Sequence, residues 1–178
     1  MVSRESLSEY KFFSGLSEEH LAILADSARE VRVKAGHYFF KEETVLKCCY
    51  IVLEGAIAIV TEAPNFALER RQKREDQNAQ NTINEIIIVT VEPGEIFAWS
   101  ALVPPHISTA SARAVSDSIV IAFDCQHLKA SFDNDRDFGY LMMKKAAQVV
   151  RERLRSTRIE TLAKLEQSEQ EGKEEGCF

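Results

Sequence analysis

Apolar residues follow two different periods along the chain, and the changes between them mark out its elements. Ser17 followed by EEHLAILADSARE reads as a capped amphipathic helix: Leu21, Leu24 and Ala28 fall on one face, and acidic residues fill the first turn, where the helix dipole favours them. This helix is expected to run to about Arg29. From Glu30 to Asp124 the period shortens. The runs EVRVK, HYFFK, CCYIVL, AIAIVT, EIIIVTV, TASARAV and SIVIAFD are short and rich in β-branched residues, and turn signals separate them. Such a series predicts a β-sandwich or roll.

The turns have their own chemistry. Ala35-Gly36, Glu54-Gly55, Pro93-Gly94 and Ser116-Asp117 each supply glycine, proline or a side chain that tolerates turn geometry, and Glu54-Gly55 is expected to close a tight hairpin. Between Ala63 and Glu85 the chain is polar and predicts an extended loop joining two paired strands, a tolerated insertion. After Asp124 the helical period returns, with a short helix from near Cys125, an acidic turn at DNDRD, and a long helix from about Asp137 toward Leu165. Roughly 28 residues at 1.5 Å each reach about 42 Å, more than a small domain needs to cover its own core. Met142, Ala146, Val149, Val150, Leu154, Thr157, Ile159 and Leu162 form an imperfect apolar stripe, which predicts a homodimer through this helix.

Composition narrows the possibilities. The 178 residues, 45% hydrophobic, suit one domain that buries its own core. The opening MVSRESLSEY is polar, and no apolar run approaches the roughly 20 residues of a membrane helix, so a cytoplasmic, soluble protein is expected, with no membrane partner. A net charge of -6 argues against general nucleic-acid binding. The basic residues between Lys144 and Lys164 read as a solvated helix face. Cys48, Cys49, Cys125 and Cys177 lack metal-ligand spacing; the first three are expected to be small core or half-buried residues, and no metal site is predicted.

The order of elements resembles that of cyclic-nucleotide-binding domains, the β-roll family of catabolite-activator and Fnr-like regulators. LSEEHLAILADSAREVRVKAGHYFFKEE resembles the family's opening, CYIVLEGAIAIV its central hairpin, and VEPGEIF the lead into its phosphate-binding cassette; together the resemblance covers about Phe13 to Leu162. It implies a mainly β fold with flanking helices: a double-stranded β-helix (a jelly-roll-like β-roll) and a long C-terminal helix. The domain is expected to span residues 1–165, with 166–178 as a polar acidic tail.

In the family the cassette reads G-E-x-F-G-E-x-A-L and, after a loop, R-A-A-T-V-R-A; the second glutamate holds the ribose hydroxyl and the first arginine the cyclic phosphate. Here Gly94-Glu95-Ile96-Phe97-Ala98-Trp99-Ser100-Ala101-Leu102 is followed by VPPHI and Ser108-Thr109-Ala110-Ser111-Ala112-Arg113-Ala114. Trp99 takes the glutamate position and Ser108 the arginine position. Losing both members of a facing charge pair avoids stranding a desolvated charge, so the pocket reads as rebuilt. The resemblance places ligand contacts at Phe97, Ala98, Trp99, Ser100, Ala101, Ser108 and Thr109. Backbone N–H groups around Ala98 to Ala101 and the hydroxyls of Ser100, Ser108 and Thr109 are available to an anion, or the hydroxyls simply satisfy a tight loop. Trp99 reads either as a plug filling the vacated pocket or as a stacking platform. On the long helix, family members reach back to the ligand base with hydroxyl and arginine side chains, and Arg153-Leu154-Arg155-Ser156-Thr157 resembles that place; Thr157 and then Ser156 are the candidates, while Arg153 and Arg155 read either as such contacts or as surface residues.

Function divides two ways. One reading is a non-catalytic sensor of a cyclic nucleotide, or another nucleotide-like or small anionic ligand, that signals through the dimer helix. The other is a ligand-free scaffold that dimerises or docks a partner with a degenerate pocket. Direct DNA reading is not expected, because only about a dozen polar residues follow Leu165. Enzymatic chemistry is not expected either: His20, His37, His106 and His127 form no HxH pair, and nucleophile-elbow, Walker and dinucleotide motifs are missing.

Overall fold

The computed structural model describes residues 2–62 and 85–174. A short helix α1 (Arg4–Ser8) and a 3-10 turn (Lys11–Phe13) precede α2 (Glu18–Ser27), the expected first helix. Ser17 caps α2 by accepting the His20 N–H at 3.2 Å, and the helix buries Leu21 and Leu24. It stops two residues short of Arg29. Ala28 and Arg29 pair instead with Phe123 and Ala122, so a strand ladder claims backbone groups that the helical period alone would extend over.

Among the described residues, eight strands form two four-stranded antiparallel sheets, the predicted β-roll. The strands are β1 (Ala28–Val33), β2 (Tyr38–Phe40), β3 (Cys48–Glu54), β4 (Ile57–Glu62), β5 (Glu85–Val91), β6 (Ile96–Phe97), β7 (Ser111–Ala114) and β8 (Ser118–Asp124). One sheet runs β1-β8-β3-β6 and the other β2-β7-β4-β5. In β8, Val120, Ile121, Ala122 and Phe123 are all buried, the near-continuous apolar run of a strand covered on both faces. Phe123 meets Phe13 edge to face at 5.5 Å, which places the N-terminal turn over one of those faces.

The Glu54-Gly55 turn does not close a hairpin between paired strands. β3 bonds to β8 and β6, while β4 bonds to β7 and β5, so the turn carries the chain from one sheet to the other. Gly55 has φ 85°, and a Cβ there would lie 2.6 Å from the Asp117 carbonyl oxygen and 2.3 Å from Ser118 Oγ. Both the left-handed backbone and the close approach of the β7–β8 turn demand glycine.

The β4 and β5 strands are paired as predicted, from Ile57↔Val91 to Glu62↔Glu85. The intervening loop predicted over Ala63–Glu85 lies, apart from Glu85, outside the described residues. The Glu85 side chain, only 7% exposed, is fixed from several sides: Tyr38 Oη donates to its Oε1, Arg113 Nε donates to Oε2 at 3.2 Å, and Lys41 Nζ lies 3.8 Å away.

The short helix α3 (Cys125–Asn134) is capped by Asp124, whose carboxylate accepts the Gln126 and His127 N–H groups. At the acidic turn Asp135 accepts the Phe138 N–H at 2.9 Å and lies 3.0 Å from His20 Nε2, and these bonds pull its carboxyl below the ordinary range. α4 (Arg136–Glu174) begins there and runs 39 residues, about 58 Å, past the end near Leu165 that the apolar stripe predicts. The stripe is divided. Phe138, Met142 and Ala146 pack into the core, whereas Val150, Leu154, Ile159 and Leu162 are exposed.

Cys49 and Cys125 are buried and Cys48 half-buried; contact with Cys125 and burial push the Cys49 thiol up. Cys177 lies outside the described residues. No described helix is long and apolar enough to cross a membrane.

Gly55→Ala is expected to cost about 3 kcal/mol through strained backbone and overpacking against the β7–β8 turn. Chemical denaturation should show a lowered midpoint at unchanged slope.

Candidate ligand-binding site

The site begins where the shortest strand ends. β6 is only Ile96–Phe97, after which Ala98 adopts a left-handed conformation (φ 59°, ψ 28°) and Trp99–Leu102 form a single 3-10 turn. An alanine in that region carries a cost of about 1 kcal/mol, which the surrounding contacts must offset. Phe97 supplies part of that support. It is buried among Phe39 (5.1 Å, edge to face), Tyr50 (4.9 Å, stacked) and Phe40 (6.4 Å, stacked). Burial, with Cys48 beside it, pushes the Tyr50 hydroxyl up to about 12, so that neighbour stays a neutral phenol near pH 7.

A cavity of about 200 Å³ opens between this turn, the β4–β5 pair and α4. Phe97, Ala98, Trp99, Ser100, Ser108, Thr109 and Thr157 all line it. Ala101 does not; within the same turn it is fully buried in the core. Ser156 faces a neighbouring groove with Lys11, Phe12 and Glu95. Sequence reasoning missed the apolar wall formed by Ile59, Ile88 and Val89, and it left Arg153 open between ligand contact and surface; Arg153 lines the cavity and the neighbouring groove. Helical spacing held that signal, since Arg153 lies four residues before Thr157 on the same face.

Trp99 is half-buried and forms part of the wall, leaving the cavity open. It is not a core plug. The choice that sequence left open for Ser108 resolves toward structure. Its hydroxyl donates to the Lys41 carbonyl at 2.7 Å, lies 3.2 Å from the Thr44 carbonyl, and accepts the Thr44 N–H at 3.0 Å. Backbone bonds reinforce this, from Glu43 N–H to the Ser108 carbonyl and from Ser108 N–H to the Thr44 carbonyl. Where the family resemblance puts a phosphate-binding arginine, this chain has a buried serine that ties two loops together.

The cavity is therefore apolar over most of its wall, with hydroxyls at Ser100, Thr109 and Thr157 and one guanidinium. Arg153 Nη2 lies 3.8 Å from Glu95 Oε2. Among the described residues, no group of three or more His, Cys, Asp or Glu side chains is arranged to hold a metal.

Comparison with known proteins agrees with this geometry. A sequence model described as the cyclic nucleotide-binding domain matches residues 30–135, more than half of the chain. Among solved structures, a Geobacter metallireducens protein described as cyclic nucleotide-binding shares 27% identity at a TM-score of 0.70, over 86% of this chain and 99% of that one. The sensor domain of the transcriptional regulator DNR from Pseudomonas aeruginosa superposes at 0.62, with 18% identity, over 85% and 90%. The catabolite activator protein of Thermus thermophilus does so at 0.57, with 21% identity, over 84% and 61%. No curated protein matches the chain.

Ser108→Ala is expected to lower stability by about 1–3 kcal/mol, because the Thr44 N–H and the Lys41 carbonyl lose a buried partner. Urea denaturation checks this.

Proposed function

This chain belongs to the cyclic nucleotide-binding domain family, and from that premise we propose that it is a non-catalytic regulatory sensor. Its ligand is a cyclic nucleotide or another small anion, and its output is carried by α4. The observation that carries this reading is the open cavity. Trp99 forms its wall, and α4 reaches over it with Arg153 and Thr157. A bound ligand would therefore touch the roll and the helix at once, which gives it a means of preferring one helix position over another. Without that differential contact no ligand could shift the equilibrium.

The second reading is a ligand-free scaffold that uses the same helix. In its favour, neither charged anchor of the family's pocket is present on the roll, and Ser108 is engaged elsewhere. The volume also bears on the choice. About 200 Å³ is below the roughly 300–1,000 Å³ usual for ligand sites, which favours a ligand smaller than a nucleotide or one whose binding displaces α4.

Both readings share a homodimer through α4. Leu154, Ile159 and Leu162, at 51%, 57% and 60% exposure, leave an apolar surface on a helix that extends beyond its own core.

Calorimetric titration with cyclic AMP and cyclic GMP tests the sensor. Micromolar binding of one of them, weakened about tenfold in Trp99→Ala by loss of a stacking wall, would establish nucleotide sensing. No heat at millimolar nucleotide would remove nucleotide sensing. The dimer is tested separately by sedimentation of Leu154→Glu, which is expected to weaken self-association at least tenfold by burying a charge in the helix seam; an unchanged sedimentation coefficient would place the interface elsewhere.

A further inference from the structure

Arg153 is the one charged side chain among the described residues lining the cavity. Its side chain is 24% exposed, and its carboxylate neighbour Glu95 is half-exposed at 3.8 Å, beyond hydrogen-bond distance. Glu95 Oε2 is itself held by the Glu92 N–H at 3.0 Å, so it stays with its turn whether or not Arg153 remains near it. The pair is a loose one, and exposed pairs of this kind contribute little.

Arg153 lines both this cavity and the neighbouring groove that holds Glu95, and it shares the cavity lining with Phe97, Ile96 and Val89, surroundings in which a charge-assisted bond is stronger than in water. Its planar fork suits a carboxylate or a phosphate. Among the described residues, the roll provides no competing cation at the wall, and no carboxylate lines the cavity to receive sugar hydroxyls. The space itself is small and apolar.

On the sensing reading above, we infer that Arg153 is the anion-binding residue of this cavity and that its ligand is a small organic anion with an apolar body. The anion draws the guanidinium from Glu95 into the cavity, so the negative charge is read by α4 directly and not by the roll. Coupling then needs no relay, because the residue that binds the charge is on the element that moves.

Trp99 is the sole tryptophan of the chain and lies in the wall, so its emission reports occupancy. The full chain is titrated with phenylacetate, with its neutral isostere phenylacetamide, and with cyclic AMP, by Trp99 fluorescence and calorimetry. Arg153→Gln and Glu95→Gln are run in parallel, and circular dichroism confirms that each is folded. Wild type is expected to prefer phenylacetate to the amide by about tenfold or more. Arg153→Gln should lose that preference while still binding the amide, and Glu95→Gln should bind phenylacetate about threefold more tightly because the competing carboxylate is gone.

A folded Arg153→Gln that keeps the preference, or a wild type that binds acid and amide equally, overturns the assignment and leaves the sensing reading in place. No response to any of the three compounds at millimolar concentration overturns both.

Discussion

Burying both faces of β8 is the requirement from which the rest of the architecture follows. Four successive apolar residues, Val120 to Phe123, have to be covered on alternate sides. The helices α2 and α3 and the N-terminal turn, where Phe13 meets Phe123, pack against β8. With β8 flanked by β1 and β3, the short β6 is left at the sheet's edge, and the chain leaves it after two residues. That departure places Trp99 over the gap between the roll and α4. The cavity is thus a product of how the sheet ends, and its walls combine strand residues with the turn that follows β6, the segment before β7 and α4.

The β-roll was legible because its punctuation is local. Glycines at positions 36, 55 and 94 all adopt positive φ, and each lies between apolar runs, so turn chemistry and hydrophobic period agree. Strand partnership was less legible. A turn signal at Glu54-Gly55 says that the chain reverses, but not whether the two strands bond to each other or to β8 and β7, which are remote in sequence. The end of α2 failed for the same reason, since Ala28 is taken by Phe123. At the site, a motif comparison brought Phe97 to Ser100, Ser108 and Thr109 to one place, because a cassette is contiguous. It could not distinguish a serine that faces a ligand from one that faces Lys41 and Thr44, nor choose between surface and cavity for Arg153, because both depend on packing between distant segments.

Position of charge has a mechanical meaning in this fold. A cation on a strand of the roll anchors a ligand to the rigid part of the molecule, and the helix must then sense the ligand at second hand. In this chain the roll's cations near the site are held in other contacts, as Arg113 and Lys41 are by Glu85, while the helix carries the guanidinium at the cavity wall. Ser108 of the cassette holds two loops together.

The register Glu62↔Glu85 has a consequence for how this gene product can vary. Residues 62 and 85 face each other across a ladder, about 5 Å apart, and Glu85 is clamped by Tyr38 and Arg113 whatever connects them. The closure entropy of a connecting segment grows only as the logarithm of its length, so residues can be gained or lost there for tenths of a kcal/mol. The β4–β5 junction is therefore a port in the scaffold: a place where evolution, or a protein engineer, can add sequence without the roll having to refold around it.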